Sequence, residues 1–190
     1  MINMCRNGNL NIAKYLHKEI KLSKKDFHSD DNGLYACRNG HINVVKYLHK
    51  EIKLTEKYFK FNYKSLFACR NGHINVVKYL HQEIKLTKKD FQSYDNTACH
   101  WACEYGHFDV VQYLHREIGL TKQDFQSNNN YACRRACKNG YIDVVKYLHE
   151  EIGLLKKDFK SQNNCAYKLA RDNNHECVIK YLLDTIGIFS

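Results

Sequence analysis

The sequence predicts an all-α array of stacked helix-turn-helix units, about six of them, and three observations carry that expectation. The string RNGHINVVKYLH stands at residues 38–49 and again, letter for letter, at 70–81. Its opening turn recurs six times, at Arg6-Asn7-Gly8, Arg38-Asn39-Gly40, Arg70-Asn71-Gly72, Glu104-Tyr105-Gly106, Lys138-Asn139-Gly140 and Asp172-Asn173-Asn174, at spacings of 32, 32, 34, 34 and 34 residues. Each copy has helical apolar spacing on both sides of the turn. A fixed period in this range is the signature of an array in which each unit buries its apolar face against its neighbours.

The first element of a copy is a short helix, as in Thr97-Ala98-Cys99-His100-Trp101-Ala102-Cys103. Its small Ala and Cys residues let neighbouring short helices approach closely. The Gly that follows suits a left-handed backbone turn, and Asn174, next best for that conformation, replaces it in the last copy. A longer helix comes next: Ile142, Val145 and Leu148 at i, i+3, i+6, with Val144, Leu148 and Ile152 at i, i+4, i+8, make one apolar stripe. It stops at Gly119, Gly153 and Gly187 in the later copies. Lys21, Lys53 and Lys85 stand there in the first three, whose ends are expected to be less well capped.

The linker is regular too, as Ser23-Lys24-Lys25-Asp26-Phe27, Thr87-Lys88-Lys89-Asp90-Phe91 and Thr121-Lys122-Gln123-Asp124-Phe125. A hydroxyl followed three residues later by a carboxylate is close to a capping box, which predicts a short helical turn with the Phe pinned inward. The tails Ser93-Tyr94-Asp95-Asn96 and Asn128-Asn129-Asn130 have turn chemistry. The second and third copies lack two residues of the short helix, so irregularity is expected around 34–39 and 66–71.

Of the 190 residues 44% are hydrophobic and 26% charged, which is a globular composition. The start has no basic region followed by an apolar run, and no apolar stretch nears the roughly 18 residues that span a bilayer. The simplest expectation is a soluble intracellular protein. Nine cysteines, an odd number without an export signal, read as free thiols. The formal charge of +10 fits an acidic partner, and it equally fits the Lys-, Asn-, Ile- and Tyr-rich, Pro-free output of an AT-rich genome.

At these residues the units resemble ankyrin repeats. The fourth copy matches that family's pattern best, through Thr97, His100, Ala102, Cys103, Gly106, His107, Val110, Val111 and Leu114. The resemblance covers essentially the whole chain and implies an ankyrin-repeat solenoid over residues 1–190, with copies near 1–29, 30–61, 62–93, 94–127, 128–161 and 162–190, the first truncated. Ala98, Ala132 and Ala166 replace the family's Pro, and the linker replaces its hairpin, so short helical or irregular linkers are expected in place of regular β-fingers. The string YLHREIGLTKQDFQS in an Asn- and Lys-rich background is also similar to the multi-copy ankyrin proteins of giant amoeba viruses.

Cys99 with Cys103, and Cys133 with Cys137, have helical metal-ligand spacing, with His100 nearby. Cysteine at close helix contacts is more simply a small core hydrophobe, so no metal or cofactor is expected. The ladder of Cys5, Cys37, Cys69, Cys103 and Cys137 cannot zip into disulfides, because stacked helices sit about 8–10 Å apart and a disulfide needs Cα atoms within about 7 Å. His17, His49, His81, His115 and His149 spread along a line instead of converging, and no catalytic set is expected. Tyr15, Tyr47, Tyr79, Tyr113, Tyr147 and Tyr181 read as packing residues.

Ankyrin proteins usually recognise partners on a concave face built from linker tips and short helices. Carried over, that face takes Arg6, Arg38, Arg70, Glu104, Lys138 and Asp172 in one row, Asn7, Asn39, Asn71, Tyr105, Asn139 and Asn173 beside it, and Trp101, Arg134 and Arg135, which break the monotony of the copies. The resemblance implies a non-enzymatic scaffold in the cytoplasm, of the host cell if the source is viral, holding a protein partner. A row of arginines suits an acidic one. The alternative is an electrostatic binder of nucleic acid or another polyanion, for which a basic aromatic motif is missing. No membrane partner is expected. Neither end carries a polar cap, which predicts a frayed first repeat and leaves end-to-end self-association or a longer array open.

Overall fold

The structure is a computed structural model and describes residues 5–29, 32–60 and 66–188. The expected fraying at Met1 lies outside the described residues, whereas the irregularity expected around 34–39 and 66–71 is not found: Asn32–Arg38 and Leu66–Arg70 are regular α-helices despite the two missing residues. The chain forms two compact units, Met1–Asp90 and Phe91–Ser190. In the first, the helices are α1 (Leu10–Lys18), α2 (Lys24–Ser29), α3 (Asn32–Arg38), α4 (Ile42–Lys50), α5 (Glu56–Lys60), α6 (Leu66–Arg70) and α7 (Ile74–Gln82), with α8 (Lys88–Phe91) ending at the boundary. The second holds α9 (Ser93–Glu104), α10 (Phe108–Arg116), α11 (Lys122–Lys138), α12 (Ile142–Glu150), α13 (Lys156–Phe159), α14 (Ser161–Asp172) and α15 (Glu176–Asp184). The described residues include no strand.

Within each unit like packs on like. Long helix α4 lies against α1 and α7, and short helix α3 against α6; α11 lies between α9 and α14, and α12 between α10 and α15. The apolar stripe explains this: Val44, Val45 and Leu48 are fully buried, as are Val110, Val111 and Leu114, while Lys46 and Lys50 on the opposite side are exposed. The face that internal copies bury is open on α1. Ile12 and Tyr15 are 45% and 56% exposed, against 0% and 6% for Val44 and Tyr47 at the equivalent positions.

The linkers fold as their spacing predicts. Asp26 Oδ2 accepts from the Ser23 amide at 2.7 Å and from its hydroxyl at 2.6 Å. Asp90 does the same with Thr87, and Asp124 with Thr121. Leu155 has no hydroxyl, so Asp158 takes only its amide, at 2.7 Å. Phe27, Phe59, Phe91, Phe125 and Phe159 are all fully buried. In the second linker Tyr58 replaces the Asp, and its hydroxyl accepts from the Gly33 amide at 2.8 Å.

The linker tails are tighter than turn composition alone implies. Residues 94–96, 128–130 and 162–164 each place three successive residues at left-handed angles, with φ between 50 and 60°. Left-handed backbone costs an L-residue roughly 1–2 kcal/mol, and Asn, which bears it best, fills six of these nine positions. The short helices therefore begin only after these turns.

At the ends of the long helices the structure departs from expectation. Lys21, Lys53 and Lys85 adopt the same positive φ (61–67°) as Gly119 at 78°. The closing bonds are also the same: Leu54 N to Leu48 O is 3.0 Å and Leu120 N to Leu114 O is 2.9 Å. The first three copies are thus capped as fully as the others, and lysine bears backbone strain in place of lost hydrogen bonds. Lys53→Gly should accordingly raise the unfolding free energy by about 1 kcal/mol in urea denaturation.

Candidate partner-binding face

In residues 5–90 the arginine row is built by the stacking itself. Arg38 and Arg70 end α3 and α6, where a cation meets the negative end of the helix dipole. The Arg6 carbonyl accepts from Asn39 Nδ2 at 2.7 Å and His41 Nε2 at 2.8 Å, both from the next copy. The Arg38 carbonyl takes Asn71 at 2.6 Å and His73 at 2.9 Å in the same way. Each guanidinium then lies over an aromatic ring: Arg6 at 6.0 Å from the Tyr35 centroid, Arg38 at 5.3 Å from that of Phe67, and Arg70 at 5.9 Å from Phe67. Arg6 and Arg38 are exposed and Arg70 half-buried.

In residues 91–188 the equivalent positions are engaged differently. Glu104 accepts the Tyr131 hydroxyl at 3.0 Å and pairs with Arg135 at 3.6 Å, and the Arg135 guanidinium stands 4.8 Å from the Tyr131 centroid. Burial first, then the Glu104 carboxylate, hold the Tyr131 phenol above its usual range. Asn139 Nδ2 donates to the Glu104 carbonyl at 2.6 Å, and the Lys138 carbonyl accepts from His175 at 2.8 Å. Arg134 donates to the carbonyls of Asn129 (2.9 Å) and Asn128 (3.3 Å), closing the left-handed turn. Tyr105 is 39% exposed and its ring stacks on His107, centroids 6.5 Å apart. Trp101 is half-buried.

The structure therefore joins Arg6, Arg38 and Arg70 to rings, ties Glu104 to the next copy and Asn139 to the preceding one, and turns Arg134 toward its own linker. Sequence reasoning passed over Tyr35, Phe67 and Tyr131. A signal for the first two was present: Tyr35, Phe67 and Trp101 occupy one position of the copy, immediately before Ala-Cys. Trp101 drew attention because it differed in type, although the shared property is the ring.

The other ladders are internal. His17, His49, His115 and His149 share hydrogen bonds with Tyr47, Tyr79, Tyr147 and Tyr181 at 2.8–3.0 Å. None of the nine cysteines is in a disulfide. Burial pushes Cys5 up to about 12 and raises Cys69, Cys103 and Cys133 as well, so these four stay protonated near neutral pH. Among the described residues no group of three His, Cys, Asp or Glu side chains is arranged to hold a metal.

His100 is 5% exposed, with its Nε2 2.9 Å from the Ser127 hydroxyl. Burial pushes its imidazolium down to about 4 from an ordinary value near 6.5. The unfolded chain thus binds the proton more readily than the folded one. Stability from His100 is fully present above pH 6.5 and is lost as the pH falls toward 4, by about 2–3 kcal/mol. Burial lowers His49 and His115 in the same direction. Urea titrations from pH 7 to 4 should show the loss, and His100→Gln, which cannot titrate, should flatten it.

Comparison with known proteins agrees with this architecture. Residues 34–124 match the family model for ankyrin repeats in three copies. Residues 34–124 thus carry ankyrin repeats, the described residues are all-α, and such repeats are generally non-enzymatic protein-protein interaction modules. No curated protein matches the chain. No helix among the described residues is long and apolar enough to cross a membrane.

Proposed function

We propose that this protein is a non-enzymatic scaffold that holds a protein partner against its short-helix faces, through Arg6, Arg38 and Arg70 in one unit and Trp101, Glu104, Tyr105, Arg134, Lys138 and Asn139 in the other. The observation that supports it most is the contrast between copies: the fold repeats nearly unchanged, while the residue ending each short helix runs Arg, Arg, Arg, Glu, Lys, Asp. Identical positions with different chemistry are what a stack needs to distinguish one partner from another. The cytoplasm is its place of action, that of a host cell if the likeness to giant amoeba virus proteins reflects its source. Affinity capture with the intact protein should retain a partner that Arg38→Glu/Arg70→Glu releases; retention of the same partner by both would count against these residues as the contact. An electrostatic binder of nucleic acid is the second reading, favoured by the net charge of +10, and DNA affinity measured against salt tests it.

A further inference from the structure

The charge of this protein is not evenly shared. Residues 1–90 carry 18 Lys and Arg against 8 Asp and Glu, whereas residues 91–190 carry 12 against 12, so the whole excess belongs to the first unit. Neither α3 nor α6 contains an acidic residue, and among the described residues neither Arg6 nor Arg38 has a carboxylate partner. We propose that the short-helix face carrying Arg6, Arg38 and Arg70 takes an extended acidic peptide segment, one carboxylate to each of the three. This rests on the scaffold reading and names the chemistry of its partner.

Preorganisation supports the assignment. Each of Arg6 and Arg38 is held at its carbonyl by an Asn and a His of the next copy, and at its guanidinium by a ring of that copy. Little side-chain freedom is left to lose on binding. A guanidinium lying over a ring still presents N–H donors at its edge, which suits a carboxylate. Spacing narrows the ligand further. Stacked helices lie about 8–10 Å apart and an extended chain advances about 3.3 Å per residue, so an acidic residue at every third position meets successive arginines. The faces of Tyr35 and Phe67 are covered by these arginines, which leaves them poorly placed to stack nucleic-acid bases.

The test uses the full chain and a fluorescent peptide of about nine residues with Asp at every third position, followed by anisotropy at moderate salt. Binding should weaken about tenfold for each arginine reversed in Arg6→Glu and Arg38→Glu, with circular dichroism unchanged. Arg38→Lys keeps the charge but loses the plane, and should weaken binding several-fold. Lys160→Glu, an equal charge change at an exposed residue just after the fifth linker, should leave it unaltered. Equal affinity for a peptide with its three Asp contiguous, no loss in the Arg6→Glu/Arg38→Glu variant, or tighter binding of a single-stranded oligonucleotide would each overturn the inference. A native partner held equally by wild type and that double variant would overturn it while leaving the scaffold reading intact.

Discussion

Phe125→Ala should lower the unfolding free energy by about 3–5 kcal/mol, read as a fall in urea midpoint at unchanged slope. Phe125 is fully buried, and the edge of its ring meets His115 at a 90° interplanar angle with centroids 6.3 Å apart. His115 in turn shares a 3.0 Å hydrogen bond with Tyr147 of the next copy. Removing the ring leaves a cavity and frees the imidazole that links two copies, and in a stacked array the loss reaches the neighbouring interface. Phe125→Leu keeps most of the volume and should cost only about 1–1.5 kcal/mol. A change in slope for the Ala variant, with the midpoint held, would show that the unit comes apart piecewise.

Gly40→Ala should cost about 2–4 kcal/mol, and Gly119→Ala about 1 kcal/mol, although both glycines sit at left-handed φ, 74° and 78°. The backbone penalty is common to the two. A Cβ on Gly40 would stand 2.5 Å from Nδ1 of His73, while one on Gly119 meets nothing within 4 Å. The His73 ring would have to leave, and with it the 2.9 Å bond to the Arg38 carbonyl. The protein already shows the difference: Lys21, Lys53 and Lys85 occupy the Gly119 position, whereas at the Gly40 position a side chain occurs only as Asn174, beyond which no described copy follows. Thermal or urea unfolding of the two variants side by side separates backbone strain from steric overlap. Equal losses would refute the role given to the His73 ring.

The elements of the fold were legible because their causes are local. The Phe of each linker, the glycine of each turn and the Val-Val-Leu stripe are set by spacing within a few residues, and all lie where the pattern predicts. The cap at Lys53 was misread for a physical reason: sequence shows a residue that dislikes a left-handed turn, and packing of Leu54 (1% exposed) compels the turn regardless. The candidate site was only half legible. Position in the copy located the arginine row, but Asn39 and Asn71 looked as available to a partner as the arginines beside them, and their amides are taken by the carbonyls of the preceding copy.

The sequence by itself determined the repeat, its two helices and turn, the inward Phe and the chemistry of the residue ending each short helix. Tertiary structure alone decided which polar groups are engaged within the stack: Asn139 and Glu104 are joined to neighbouring copies, Arg134 closes its own turn, and Arg6 and Arg38 are exposed and lie over rings. Helical periodicity acts along the chain over a few residues. Whether a side chain meets solvent or a neighbour depends on a contact some 30 residues away, and no local pattern encodes that register.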